Sequence, residues 1–361
     1  QEEAVGKTTH DFYPGERGRE AMEDDREVLQ TGIPIIDREK TYLNPEGETV
    51  WSLTTKVPLR DLEDNIIGLV GISHDITARK LAEEEITRRN VEMQTDLKMA
   101  REIQQSFLTH QYPTFPESVT PSESAIRFCH RYHPASSLAG DFFDIFPISD
   151  NEAGILICDV MGHGVRAALV TAFIRGLVEE LMPLAARPGP FLSELNRALI
   201  GIFKQFESAF FVTTLYCVAD IGRLQLRYAN GGHAIPYLIR QSRPVVERIR
   251  PENFDPEPAL GLIDHFRYST CEHSLDPGDR IIAFTDGLFE VDDPDKNQLG
   301  EPWLHQEVSR NRGMPLDILF DHLLEEVHRQ SGNDEFDDDV CLVGVQIDES
   351  SQEAQSLLFE D

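Results

Sequence analysis

Aspartates recur where apolar, strand-like runs begin or end in the later two thirds of this chain. Gly140-Asp141-Phe142-Phe143-Asp144 is the first such element. Asp159 follows the apolar run GILIC and precedes Val160-Met161-Gly162-His163-Gly164. Thr285-Asp286-Gly287 follows RIIAF, and Asp337-Asp338-Asp339 stands directly before VCLVGVQI. A carboxylate at the end of a buried strand is costly unless it is paired or ligates a cation. The same arrangement at separate strand ends suggests convergence on one site. Hard divalent cations such as Mg²⁺ and Mn²⁺ take oxygen ligands and keep several waters. Two of them can acidify a water enough to attack phosphorus in line.

Each element alone has a plainer explanation. Asp286-Gly287 would more often be a turn, and the triple aspartate more often solvated charge. Gly162-His163-Gly164 could simply open the helix at Val165, since glycine relieves backbone strain there. Their recurrence in one chain reverses the balance. Asn230-Gly231-Gly232-His233 reads as a structural turn near the site, with a ligand role for His233 less favoured. Cys129-His130 with His133 lacks a fourth zinc ligand at suitable spacing. Asp293, Asp295 and Asn297 mimic a calcium loop, but Gln298 occupies the required glycine position and Leu304 that of the closing Glu. P-loop and GxSxG strings are absent, which removes P-loop NTPases and serine hydrolases.

The elements that must position these residues fall into three stretches of a 361-residue chain, long enough for two domains. Lys plus Arg number 33 against 64 Asp plus Glu, a formal charge of −31 that would repel nucleic acid and anionic membrane. Five scattered cysteines without a CxxC pair predict reduced thiols, hence a cytoplasmic setting. No apolar run approaches a membrane span. The chain begins at Gln1 rather than Met, as a piece of something longer would.

Residues 1–77 predict a helix near 19–30 and strands near 38–43, 49–58 and 66–75. The turns between them are Asn44-Pro45-Glu46-Gly47 and Leu62-Glu63-Asp64-Asn65. The strings DREVLQTGIPIIDRE and GLVGISHDITARK, with the Asn-Pro-Glu-Gly hairpin before Val50-Trp51, resemble the C-terminal half of a PAS sensor domain. The half that normally closes a PAS ligand pocket is not represented, so the ligand is unknown. Residues 78–110 read as a helical linker, free of Gly and Pro over 78–109. Ile86, Asn90, Met93, Leu97, Ala100, Gln104 and Phe107 alternate four and three apart, a heptad seam that predicts a homodimeric coiled coil through 78–109. The rival is an amphipathic helix lying on its own domain.

Residues 125–350 predict strands at 154–158, 213–218, 224–228, 280–284 and 340–347, with helices at 165–182 and 190–206. Packed sheets flanked by helices would accommodate this pattern. Gly-Asp-Phe-Phe-Asp, Asp159-Val-Met-Gly-His-Gly-Val-Arg-Ala-Ala-Leu, Ala-Asn-Gly-Gly-His, Thr-Asp-Gly-Leu and Asp-Asp-Val, in that order, resemble the PPM phosphatases. More narrowly they resemble the SpoIIE/RsbU branch, which acts on phosphorylated anti-anti-sigma proteins. AREIQQSFL is similar to the helix that enters the catalytic domain of that branch.

The resemblance implies an α+β fold with a layered α-β-β-α sandwich. It also implies hydrolysis of phosphoserine or phosphothreonine on a partner protein, using two Mn²⁺ or Mg²⁺ ions. Asp159 would bridge both metals and the Val160 carbonyl would ligate one. Asp286 and Asp338 would complete the site, Asp141 would ligate a metal or hold its water, and Asp144 would stand behind them. Two positions depart from the family pattern. Ala139 replaces a frequent Gly, and Met161 stands where animal and plant members have a His, so the general acid is unassigned and His163 does not inherit the role. A pseudophosphatase that only docks a regulatory partner is the alternative.

Overall fold

The computed structural model describes residues 5–348 apart from 14, 45, 109–110, 206–209, 251–254 and 334. Pro45 of the expected hairpin turn, the end of the linker at 109–110 and the domain's end at 349–350 lie outside the described residues. The chain divides into two compact units, Gln1–Asp96 and Leu97–Asp361.

In the first unit, α1 (Thr9–Phe12) and α2 (Glu16–Thr31) precede an antiparallel sheet of β1 (Ile35–Leu43), β2 (Thr49–Arg60) and β3 (Ile66–Asp75), in that order. Gly32 ends α2 in the left-handed conformation (φ 69°) and its N–H closes on the Val28 carbonyl. Acidic α2 is fastened to the sheet by charge. Lys56, almost fully buried on β2, donates to the Ala21 carbonyl and to Asp25, both at 2.6 Å, while Lys40 pairs with Asp24 at 2.8 Å.

One continuous helix, α3 (Thr77–Phe107), follows. Ion pairs such as Arg88–Glu85 and Arg88–Glu92 line its exposed surface. The heptad positions do not share one environment. Ile86 and Met93 are exposed, but Gln104 is only 7% exposed and Phe107 packs on the hydrophobic core of the second unit. Gln104 Nε2 donates to the Ala139 carbonyl (2.8 Å) and its Oε1 accepts from the Ala139 N–H (3.1 Å). The C-terminal end of the expected seam therefore serves contacts inside the chain. A buried amide needs those hydrogen bonds, and Ala139 supplies both.

The second unit stacks two antiparallel five-stranded sheets between helices. One sheet runs β11 (Cys271–Ser274), β8 (Gln225–Gly231), β7 (Val212–Asp220), β6 (Glu152–Val160), β5 (Asp141–Ser149). The other runs β10 (Val246–Arg248), β9 (Tyr237–Ile239), β12 (Arg280–Phe284), β13 (Val340–Ile347), β4 (Ile126–His133). Alternation along each strand separates the layers. Ile281, Ala283, Cys341 and Val343 join the core formed with β5–β8 and with α4 (Val165–Leu181) and α5 (Pro188–Phe203). Ile282, Phe284, Val340 and Leu342 face away, against α6 (Gly300–Asn311) and α7 (Leu316–Ser331). The result is the α-β-β-α sandwich. No helix among the described residues is long and apolar enough to cross a membrane.

Candidate active site

Asp141 opens β5 and Asp159 is the penultimate residue of β6. The two are partners on one rung of the antiparallel ladder, and Thr213 of β7 continues that rung. Side chains on one rung leave the same face of a sheet. The Thr285 hydroxyl, next to the end of β12, donates to Asp141 Oδ2 at 2.6 Å, and Tyr132 of β4 donates to the Asp141 carbonyl at 2.9 Å. Both contacts come from the opposite sheet, so this row opens between the sheets at one end of the sandwich.

The other predicted carboxylates arrive from that opposite sheet. Asp286 lies on a single 3-10 turn after β12, and Asp338 in the loop before β13. Close backbone approach fixes both loops. A Cβ on Gly287 would fall 2.1 Å from the Asp339 carbonyl oxygen, so only glycine lets the Thr-Asp-Gly turn lie on the triple aspartate. A Cβ on Gly140 would fall 2.7 Å from the Val160 carbonyl oxygen and 2.8 Å from that of Gly162. Gly140 thereby brings Asp141 against the loop that carries Val160.

The electrostatics report convergence. Burial pushes the Asp159 carboxyl up to about 7, and the negative charges of Asp286, Asp338, Asp339 and Glu290 add to the shift. Asp141 is raised well above the usual carboxylate range by burial and by Asp159, with the Thr285 hydrogen bond opposing. Asp286 is raised by burial, then by Glu290 and Asp338. The donor set is all oxygen (four carboxylates and one main-chain carbonyl), which fits a hard divalent cation. Among the described residues, no three His, Cys, Asp or Glu groups already stand at the spacing of an assembled metal site.

Asp144 lies elsewhere. Three residues beyond Asp141 on the same strand, it leaves the other face of β5, where Arg175 of α4 stands 3.6 Å away. It is a buried ion-pair partner of a flanking helix, separated from the Asp159 face by the sheet itself. His163 is exposed in the loop before α4.

Three contributors are not evident from sequence. Asp339 accepts from the Gly140 N–H at 2.6 Å and the Ala135 N–H at 2.8 Å, tying the triple aspartate to the strand carrying Asp141. Thr285 accepts from the Cys341 N–H at 2.8 Å while donating to Asp141. Glu290 acts on both Asp159 and Asp286. Its position four residues after Asp286 is the only signal the sequence offers. Within Asp337-Asp338-Asp339 nothing local distinguishes the buried member from its exposed neighbours.

Comparison with known proteins places this geometry. Residues 149–348 match the sequence profile described as Stage II sporulation protein E (SpoIIE), and residues 1–81 match that of the PAS fold. Phosphoserine phosphatase RsbP of Bacillus subtilis (strain 168) is 25% identical over 253 residues, covering 70% of this chain and 58% of the relative. Protein IcfG of Synechocystis is 26% identical over 343 residues, covering 88% and 52%. The chain thus spans about half the length of these curated relatives. The SiaA-PP2C domain of Pseudomonas aeruginosa superimposes with a TM-score of 0.60 at 20% identity, covering 72% of this chain and 99% of that domain. The RsbU and RsbW domains of Rv1364c from Mycobacterium tuberculosis give a TM-score of 0.55 at 21% identity, covering 67% and 63%. These two share the fold. With the profile matched along more than half of the chain, and with the sandwich shared with the SiaA-PP2C domain, the chain belongs to the Stage II sporulation protein E (SpoIIE) family and carries PAS-fold sequence ahead of that domain.

Proposed function

We propose that this chain is a metal-dependent protein serine/threonine phosphatase whose PAS segment regulates it. The observation that carries the reading is the pairing of Asp141 with Asp159 on one rung, with Asp286, Asp338 and Glu290 close enough to raise their neighbours. Like charges placed directly opposite destabilise a sheet unless something offsets them. Asp141, Asp159, Asp286, Asp338 and the Val160 carbonyl would hold two Mn²⁺ or Mg²⁺ ions. When bound, such ions acidify a water and neutralise a phosphoryl group. The protein's own part is to aim carboxylates from two sheets into one volume. Thr285 orients Asp141, and Asp339 anchors the loop of Asp338 to the strand of Asp141.

The substrate would be phosphoserine or phosphothreonine on a partner protein of the anti-anti-sigma type, in keeping with the phosphoserine phosphatase RsbP. All five cysteines are free, which suits a reducing, cytoplasmic compartment. A homodimer would form through residues 78–109, with the part of α3 before Gln104 as the contact. The domain limits would be 1–77, 78–110 and 125–350. Partner binding would act on α3 and the metal loops together, since Gln104 of α3 holds Ala139, two residues before Asp141.

The test is Mn²⁺-dependent hydrolysis of p-nitrophenyl phosphate and of a phosphorylated partner. Activity that disappears in Asp159→Ala supports the reading. No turnover with any metal or partner leaves a docking scaffold. Equal rates on free phosphoserine and on a phosphoprotein would point to a small-molecule substrate instead.

A further inference from the structure

We infer that His233 is a positioning residue that takes the hydroxyl proton of Thr213 and so keeps that hydroxyl off Asp159. The inference rests on the metal-site reading above and assigns the Asn-Gly-Gly-His turn a task within it.

Thr213 follows Asp159 on the same rung, so its side chain leaves the same face beside the carboxylate. A threonine hydroxyl has one proton to give. At the other end of the row, Thr285 gives its proton to Asp141. Were Thr213 to do the same to Asp159, both carboxylates would be capped by hydroxyls, and a cation would have to displace a charge-assisted hydrogen bond.

His233 removes that option. Its Nδ1 lies 2.8 Å from Thr213 Oγ1, and the ring is 7% exposed. The turn around it is rigidly built. Its N–H donates to Asn230 Oδ1 at 2.8 Å and its carbonyl accepts from Asn230 Nδ2 at 3.0 Å. Gly232 adopts φ 71°, and a Cβ there would fall 2.9 Å from the Ala259 backbone nitrogen. Burial lowers the imidazole pKa to about 4, so the ring is neutral and carries one N–H and one lone pair. Nε2 makes no hydrogen bond, and the Phe284 backbone favours a proton on the ring against the effect of burial. With Nδ1 facing the Thr213 hydroxyl, the proposed tautomer carries its proton on Nε2, so that Nδ1 accepts and Thr213 donates. Oγ1 then turns only lone pairs toward Asp159, whose oxygens stay open.

The test is calorimetric titration of the full chain with Mn²⁺, together with melting of the metal-free variants. His233→Phe fills the space without an acceptor and should weaken Mn²⁺ binding by roughly tenfold, the worth of one such hydrogen bond. Adding Thr213→Val, which deletes the competing hydroxyl, should restore it. His233→Asn places an acceptor near the Nδ1 position and should bind as wild type does, whereas His233→Gln should not. Unchanged binding in His233→Phe, or failure of Thr213→Val to rescue it, overturns the inference. If the phenylalanine variant does not fold, indistinguishable Asn and Gln variants overturn it instead. Absence of Mn²⁺ binding by the wild-type chain overturns the phosphatase reading as well, an outcome separable from the others.

Discussion

Asp141 and Asp159 face each other across the β5–β6 ladder, two carboxylates on one rung with the Thr285 hydroxyl gripping the first. Residues directly opposite in an antiparallel pair hold their Cβ atoms about 5 Å apart, where like charges repel. A sequence shaped only for stability would not place them so. The arrangement stores repulsion that a bound cation would relieve, and it makes stability respond to charge at this rung.

Asp159→Asn should therefore raise the melting temperature of the metal-free protein while abolishing phosphatase activity. The gain is expected at about 1–3 kcal/mol, the scale of one unfavourable buried charge. Thermal denaturation in chelator, set beside activity in Mn²⁺, checks both halves. A metal-free variant less stable than wild type would contradict the account.

The pH dependence has a definite sign. Asp159 rises from 3.8 to about 7 on folding, so between those values the folded chain holds a proton that the unfolded chain has released. Stability falls with rising pH wherever the native state binds more protons, by at most ~1.4 kcal/mol per unit for one group. The metal-free protein should lose stability as pH rises from about 4 through about 7, and Asp159→Asn should flatten that slope. Melting curves across this window, again in chelator, decide it.

Gly140 and Gly287 are expected to be intolerant for a geometric reason. Alanine at 287 would drive its methyl to 2.1 Å from the Asp339 carbonyl oxygen, and at 140 to 2.7 Å from that of Val160. Neither obstacle is the end of a flexible side chain, so a loop must move. A cost of about 1–3 kcal/mol is expected for each, with Mn²⁺ affinity lowered together with stability. Paired calorimetric and denaturant titrations measure the two effects.

Asp144→Asn should separate the two buried aspartates of β5. Its partner is Arg175 on α4, on the face away from Asp159. Arg175 is 31% exposed and also pairs with Glu179, so losing this contact should cost about 1 kcal/mol, the upper end for an ion pair that water screens. Stability should drop while Mn²⁺ affinity per folded molecule stays at the wild-type value. Loss of affinity without loss of stability would place Asp144 among the ligands.

Light scattering on chains with and without residues 78–109 tests the dimer. A dimer that becomes monomeric on deletion is expected. Because Gln104 is spent on Ala139, Gln104→Leu should disturb the catalytic unit's stability more than the association state. Monomers in both forms would remove the coiled coil.

Much of this was written locally. Strands at 280–284 and 340–347 appear where their apolar runs stand, and α4 begins at Val165 as its glycines require. Recurrent aspartates at strand ends, each costly alone, raise the expectation of a shared site because the penalty of burying charge is a property of residue type, and the fold sets Asp141 and Asp159 on one rung. The leucines of α7 follow an open helical period, whereas β4 and β5 hide theirs under histidines, arginines and aspartates recruited for contacts across the sandwich. Sequence could not say which face of β5 Asp144 takes relative to the site, which member of the triple aspartate is buried, or that Gln104 turns inward. Those outcomes depend on strand register and on which backbone passes close to which glycine. They arise between residues far apart in the chain, where local propensity carries no information.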